Sequence, residues 1–221
     1  LFLAIRIKTL VVSIVPVFFG SALLYRFETE KFDSTIFFLI LSSAIFIQIG
    51  TNFTNDLFDF QKGTDREDRL GPIRTTQAGL ILPNAMKKAI LLTFFLAICS
   101  GLYLANIGGW PIVLIGLVSI AAGILYTGGP YPLGYHGWGD LFVFIFFGVI
   151  AVPGTYYLQM GNVNKLSVWM GVAMGMLATA ILVVNNIRDA EEDKLSGKRT
   201  LAVRLGNDFS KIQYSMLILI P

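Results

Sequence analysis

Residues 35–65 read TIFFLILSSAIFIQIGTNFTNDLFDFQKGTD. No ionisable side chain interrupts 35–53, a run close to the roughly 20 apolar residues that a helix needs to cross a bilayer. The run then passes into an oxygen-rich cluster with the spacing Asn55-x3-Asp59-x5-Asp65. A membrane helix that ends in carboxylates is the unit from which the rest of the chain is read.

Further apolar runs lie at 9–25, 89–106, 110–126, 141–160 and 168–184, and a seventh starts near 212. With 55% hydrophobic and only 14% charged residues and a mean hydropathy of +0.69, the chain is too apolar for an ordinary soluble domain. Backbone groups inside a bilayer must bond within their own segment, so runs of this length read as helices. The expected fold class is all-α, a polytopic transmembrane helical bundle whose environmental partner is the lipid bilayer; no nucleic-acid partner is expected. Leu1 at the start and Pro221 within the seventh run read as one domain, 1–221, truncated at both ends. The single cysteine, Cys99, excludes an intramolecular disulfide framework and reads as a buried apolar filler within its span.

Basic residues give an orientation, because Lys and Arg are retained on the cytoplasmic side. Of the 17 Lys and Arg residues, all but Arg26, Lys31 and Lys165 lie in the N-terminal segment, the second-to-third loop or the sixth-to-seventh loop. These three segments fall on one face. The Asn55 cluster and a second one, Asn185-x3-Asp189-x3-Asp193, should both open there, towards the cytoplasm.

Helical positions four apart share a face, so Asn55 converges with Asp59, and Asn185 with Asp189 and Asp193. Gly63 in the x5 gap predicts a helix end around 61–63, with Asp65 reaching the site from a turn. One acidic cluster at a helix end is commonly a set of solvated loop charges. Two clusters with the same Asn-x3-Asp opening, each begun while the sequence is still apolar, favour a site, because ionisable groups are costly at that depth. Oxygen donors of this kind suit a hard divalent cation such as Mg²⁺, which takes one or two carboxylates and completes its shell with water and substrate phosphate. Interleaved cations, Lys62, Arg66, Arg69 and Arg74 near the first cluster and Lys194, Lys198 and Arg199 near the second, suit a diphosphate. Each of these is also what a positive-inside anchor would look like.

Three stretches carry a resemblance: GTNFTNDLFDFQKGTDREDRLGPIRTTQAGL (50–80), YTGGPYPLGYHGWGDLFVFIFFG (126–148) and NNIRDAEEDKLSGKRTLAVRLG (185–206). Together they resemble the UbiA superfamily of intramembrane prenyltransferases, and within it the branch that prenylates 1,4-dihydroxy-2-naphthoate in menaquinone biosynthesis. The opening Arg6-Ile7-Lys8-Thr9-Leu10 resembles the start of that branch. The resemblance implies nine helices around a central cavity, about seven of them present here. It also implies Mg²⁺ held by Asn55, Asp59 and Asp65 and by Asn185, Asp189 and Asp193. Asp59, Asp65, Asp189 and Asp193 are then the catalytic carboxylates, with Arg6, Lys62, Arg66, Arg74, Lys198 and Arg199 on the diphosphate. The implied reaction transfers a polyprenyl group from its diphosphate to 1,4-dihydroxy-2-naphthoate with loss of CO2, in a bacterial plasma membrane.

Two departures stand out. The wider superfamily often reads N-x3-D-x3-D, whereas Gly63 occupies the position four after Asp59; the longer spacing resembles the naphthoate branch. Some members place a lysine four residues after a tyrosine, where this chain has Tyr126 followed by Pro130, so Lys62 or Lys198 would serve instead. The aromatic loop after the fourth span supplies an acceptor pocket of Tyr126, Tyr131 and Asp140, or else an interfacial aromatic belt. Asp140 reads either as a helix cap or as a group that orients the acceptor. His136 is the sole histidine and reads as a loop residue. Two alternatives stay open: another aromatic acceptor, 4-hydroxybenzoate or homogentisate, and a transporter, which would spread its acids through the membrane depth.

Overall fold

The computed structural model of the protein describes residues 1–27, 32–64 and 73–221. Asp65, Arg66, Arg69 and Lys31 therefore lie outside the described residues. Among those described, the regular elements are all helical: α1 (Phe2–Ile5), α2 (Ile7–Phe27), α3 (Ser34–Lys62), α4 (Pro83–Gly108) and α5 (Trp110–Leu125). They continue with α6 (Gly139–Met160), α7 (Lys165–Arg188), α8 (Ala190–Leu195) and α9 (Leu201–Leu219). Five of them, α2, α3, α4, α6 and α7, are long and apolar enough to cross a membrane. At 16 residues, α5 is about 24 Å long, shorter than a bilayer core.

Each apolar run becomes a helix, and the differences lie at the ends. Asp33 caps α3 by accepting from the N–H groups of Thr35 and Ile36 at 2.7 and 3.1 Å, a normal use of an acid at a helix start. At its other end α3 runs past the apolar region to Lys62 and stops at Gly63, whose φ of 65° is the left-handed stop expected of glycine. The helix of the seventh apolar run, α9, starts at Leu201, well before that run, and kinks at Gly206.

The bundle packs α3 against α2, α4 and α5, and α7 against α6 and α9, with α2 joining the two halves through α6. Val17, Phe37, Ile40, Leu104, Ile112 and Leu158 form one apolar cluster. A second one, Ala4, Phe53, Leu57, Met86 and Ala89, ties α1 and α4 to the end of α3 that carries the acids. Even in α7 only 39% of the apolar window is buried, so most of each helix surface faces outwards. Cys99 belongs to that outer face of α4 and is exposed, which corrects the reading of it as a buried filler. In a membrane, apolar character does not separate inside from outside.

Helices α6 and α7 approach most closely at glycines. A π turn occupies Ile145–Ile150 of α6, just ahead of Pro153, which lacks the N–H for the carbonyl four residues back and would press its ring on it; the wider turn relieves that contact. Gly148 lies in this turn, and a Cβ there would collide with the Gly171 carbonyl and the Gly175 Cα of α7. Small residues permit such an approach in membranes. We predict that Gly148→Ala lowers stability by roughly 1–3 kcal/mol, read as thermal unfolding in detergent. Gly154→Ala, where a Cβ meets nothing within 4 Å, leaves it unchanged or slightly raised.

Candidate active site

The site grows from the last turns of α3. Asp56 and Asp59 are 0% and 1% exposed, and a buried carboxylate is tolerated only when its oxygens are satisfied. Asp56, which sequence reasoning passed over, accepts from the Thr75 N–H at 2.9 Å, the Thr75 hydroxyl at 3.3 Å and the Thr76 N–H at 2.8 Å. It thereby fastens the segment after the first cluster to α3 and delivers its neighbour Arg74. The Arg74 guanidinium, 8% exposed, donates to Asp59 Oδ2 at 2.7 Å. Adjacency to the Asn55 cluster was the available signal for Asp56, but its partners are set by a segment some twenty residues on.

The second cluster reaches the same place through one ammonium. Lys198 Nζ lies 3.5 Å from Asp59 Oδ2 and 3.8 Å from Asp193 Oδ1, so the two motifs bracket a shared cation. Asp59 and Asp193 are thus brought together through Lys198, while the backbone at the second motif takes a different local route from the expected one. Instead of one continuous helix through 185, 189 and 193, α7 stops at Arg188, Asp189 occupies the junction and α8 begins at Ala190. The junction keeps the helical register, since the Asp189 and Asp193 N–H groups donate to the carbonyls of Asn185 and Asp189 at 2.9 and 2.8 Å. Side chains one apart do not meet on a regular helix. At this break they do, and Arg188 forks Asp189 with bonds of 2.6 and 2.8 Å.

Asn55 and Asn185 face a common cavity of about 340 Å³ inside the bundle. Tyr126 lines the same end, and Ile40, Leu104, Ile112 and Leu158 line the other. From Ile40 to Asn55 the wall follows α3 for about 22 Å. The Asn55 side-chain oxygen Oδ1 accepts from the Thr127 hydroxyl at 2.8 Å, and Lys62 Nζ donates to the Thr127 backbone carbonyl, so the loop after α5 is docked on the first motif. Tyr135 of that loop donates to Asp59 Oδ1 at 2.7 Å.

The other expected site residues separate. Tyr126 lines the cavity, whereas Tyr131 is 55% exposed and stacks on His136 at 3.7 Å. Asp140 does not cap α6. Its carboxylate accepts from Gln213 at 2.7 Å and Asn186 at 3.3 Å, joining α6 to α9 and α7. Arg199 is exposed, and its N–H donates to the Tyr135 carbonyl at 2.8 Å. Arg6 stands at the α1–α2 break with φ 55°, a costly conformation for a non-glycine residue. Asn52 of α3 supports that break by donating to the Ile5 carbonyl and the Thr9 hydroxyl at 2.8 and 2.9 Å.

The donor set suits a hard cation. Asn55, Asp59, Asn185, Asp189 and Asp193 offer oxygen alone, and Lys198 already shows a positive charge held between Asp59 and Asp193. Among the described residues no three acidic, histidine or cysteine side chains converge to enclose an ion. An ion here would draw on one or two carboxylates, with the rest supplied by amide, water and substrate oxygens, as Mg²⁺ prefers.

This architecture agrees with comparison to known proteins, where residues 13–221 match the UbiA prenyltransferase family. The chain belongs to that family. A 1,4-dihydroxy-2-naphthoate octaprenyltransferase of Haemophilus influenzae is 38% identical over 96% of this chain and 71% of its own length. The Escherichia coli protein of the same name is 37% identical over 98% and 71%. A UbiA prenyltransferase domain-containing protein 1 homolog of Drosophila melanogaster shares 32% over 99% of this chain and 61% of its own. Membership makes this chain an integral membrane prenyltransferase and removes the transporter alternative.

We predict that Asp56→Ala strands the Thr75 and Thr76 N–H groups in a buried position, at about 1–3 kcal/mol each. Thermal unfolding in detergent should show this protein markedly destabilised, with Asp56→Asn, which keeps one acceptor oxygen, falling between it and the wild type.

Proposed function

We propose that this UbiA-family protein transfers a polyprenyl group from its diphosphate to 1,4-dihydroxy-2-naphthoate, releasing diphosphate and CO2 and forming demethylmenaquinol. The observation that supports the reading is the bridging of Asp59 and Asp193 by Lys198, with Arg74 on Asp59, in two motifs whose Asn55 and Asn185 line one largely apolar cavity. The naphthoate acceptor is supported by the names of the bacterial relatives and by the x5 spacing to Asp65.

The chain's own residues divide the work. The cavity receives the polyprenyl tail and leaves the diphosphate at the mouth, beside Asp59, Asp189 and Asp193. Mg²⁺, held by one or two of these carboxylates with Asn55 or Asn185, would supply Lewis-acid stabilisation of charge on the departing diphosphate. Arg74, Lys198 and Lys62 add fixed positive charge to the same leaving group, which favours cleavage of the allylic C–O bond with its electron pair going to oxygen. The electron-rich ring of the acceptor, held near Tyr126, attacks the allylic carbon. Its carboxylate then leaves as CO2. No covalent attachment to the protein is required.

The acid-cluster end faces the cytoplasm of a bacterial plasma membrane in this reading, because Lys and Arg concentrate there. Both the diphosphate and the acceptor would be reached from that side.

Purified protein given farnesyl diphosphate and 1,4-dihydroxy-2-naphthoate should form product and CO2 only with Mg²⁺ present. Asp59→Ala and Asp189→Ala should each lower kcat by roughly a hundredfold or more, in the range found when a group stabilising transition-state charge is removed. Product from 4-hydroxybenzoate or homogentisate alone would overturn the acceptor, and turnover in chelator would overturn the metal.

A further inference from the structure

We infer that Tyr135 is a positioning residue that couples the two acidic motifs, its hydroxyl aiming Asp59 and its ring holding Lys62 and Lys198 beside the diphosphate site. This rests on the prenyl-transfer reading and extends it to a residue outside both motifs.

Tyr135 sits in a single 3-10 turn, Leu133–His136, between α5 and α6. Five contacts to distant parts of the chain meet on it. Its hydroxyl donates to Asp59 Oδ1 at 2.7 Å and lies 3.0 Å from the Thr64 hydroxyl. Its carbonyl accepts from the Arg199 N–H at 2.8 Å, so the turn is fixed to the segment that follows the second motif. Lys62 Nζ lies 4.4 Å and Lys198 Nζ 4.9 Å from the ring centroid. One lysine comes from the end of α3 and the other from beyond α8.

The two roles have separate physical grounds. The two Asp59 oxygens are used differently, with Oδ2 facing Arg74 and Lys198 at 2.7 and 3.5 Å and Oδ1 taking the phenol. A phenol is a neutral donor at ordinary pH, so it fixes the carboxylate's direction without cancelling the charge that a cation needs. Outer partners of this kind set the affinity of ligating groups for their ion. The ring acts on the lysines. Two ammonium groups gathered for one diphosphate repel each other before the substrate arrives. An aromatic face within about 6 Å attracts each of them without consuming their hydrogen-bonding protons.

Tyr135→Phe removes the first role and keeps the second; Tyr135→Leu removes both. Two readouts separate them: the Mg²⁺ concentration giving half the maximal thermal shift of the protein with inorganic diphosphate, and KM for farnesyl diphosphate at saturating Mg²⁺. Tyr135→Phe should raise the Mg²⁺ midpoint by about tenfold with KM within twofold of wild type. Tyr135→Leu should show the same Mg²⁺ defect and raise KM by roughly fivefold or more. A wild-type Mg²⁺ midpoint in Tyr135→Phe would overturn the aiming role, and equal KM values in the two variants would overturn the platform role. If wild-type protein failed to prenylate any acceptor while its Mg²⁺ midpoint still responded to Tyr135→Phe, the prenyl-transfer reading would fall and the aiming of Asp59 would stand.

Discussion

The Asp59 carboxylate, 1% exposed at the end of an apolar helix, sets the constraint that the rest of the structure answers. A charge so placed must be compensated by positioned partners, and removing one partner of a buried pair typically costs about 3–5 kcal/mol. Its compensation comes from three separate parts of the chain. Arg74 arrives on a segment held by Asp56, Tyr135 on the loop after α5, and Lys198 on the turn after α8. Satisfying one carboxylate therefore folds three loops over one end of the bundle.

The same end holds the polar mouth of the cavity, and the contrast along that cavity orders the chemistry. Asn55, Asn185 and Tyr126 line the end nearest the acidic motifs, while Ile40, Leu104, Ile112 and Leu158 line the other. An amphiphile with a charged head and an apolar tail can enter such a space in one direction only. The glycine contacts between α6 and α7 hold the helix whose first turn carries Asp140 against the helix that leads into Asp189.

Much of this was legible in the residues. The apolar runs located the helices, Gly63 stopped α3 where its left-handed conformation is cheap, and the two Asn-x3-Asp motifs contain Asp59 and Asp193, which Lys198 links. Other features were not legible, for identifiable reasons. Cys99 was assigned inwards because burial in a soluble protein follows apolarity, a rule without force where the solvent is lipid. Asp140 satisfies its carboxylate with Gln213 and Asn186, partners on other helices that no local pattern could nominate. The break at Asp189 hid the Arg188 fork because the spacing alone suggested an unbroken helix.

By itself, the sequence determined the class of structure and the chemistry of its donors: membrane helices, because a bilayer leaves backbone groups no other partner, and oxygen-rich motifs suited to a hard cation and a diphosphate. Tertiary structure alone decided which charges meet. Lys198 between Asp59 and Asp193, Arg74 on Asp59, and Tyr135 touching both Asp59 and Lys198 are long-range contacts. They depend on how helices pack and loops close, and a periodic local pattern carries no record of either.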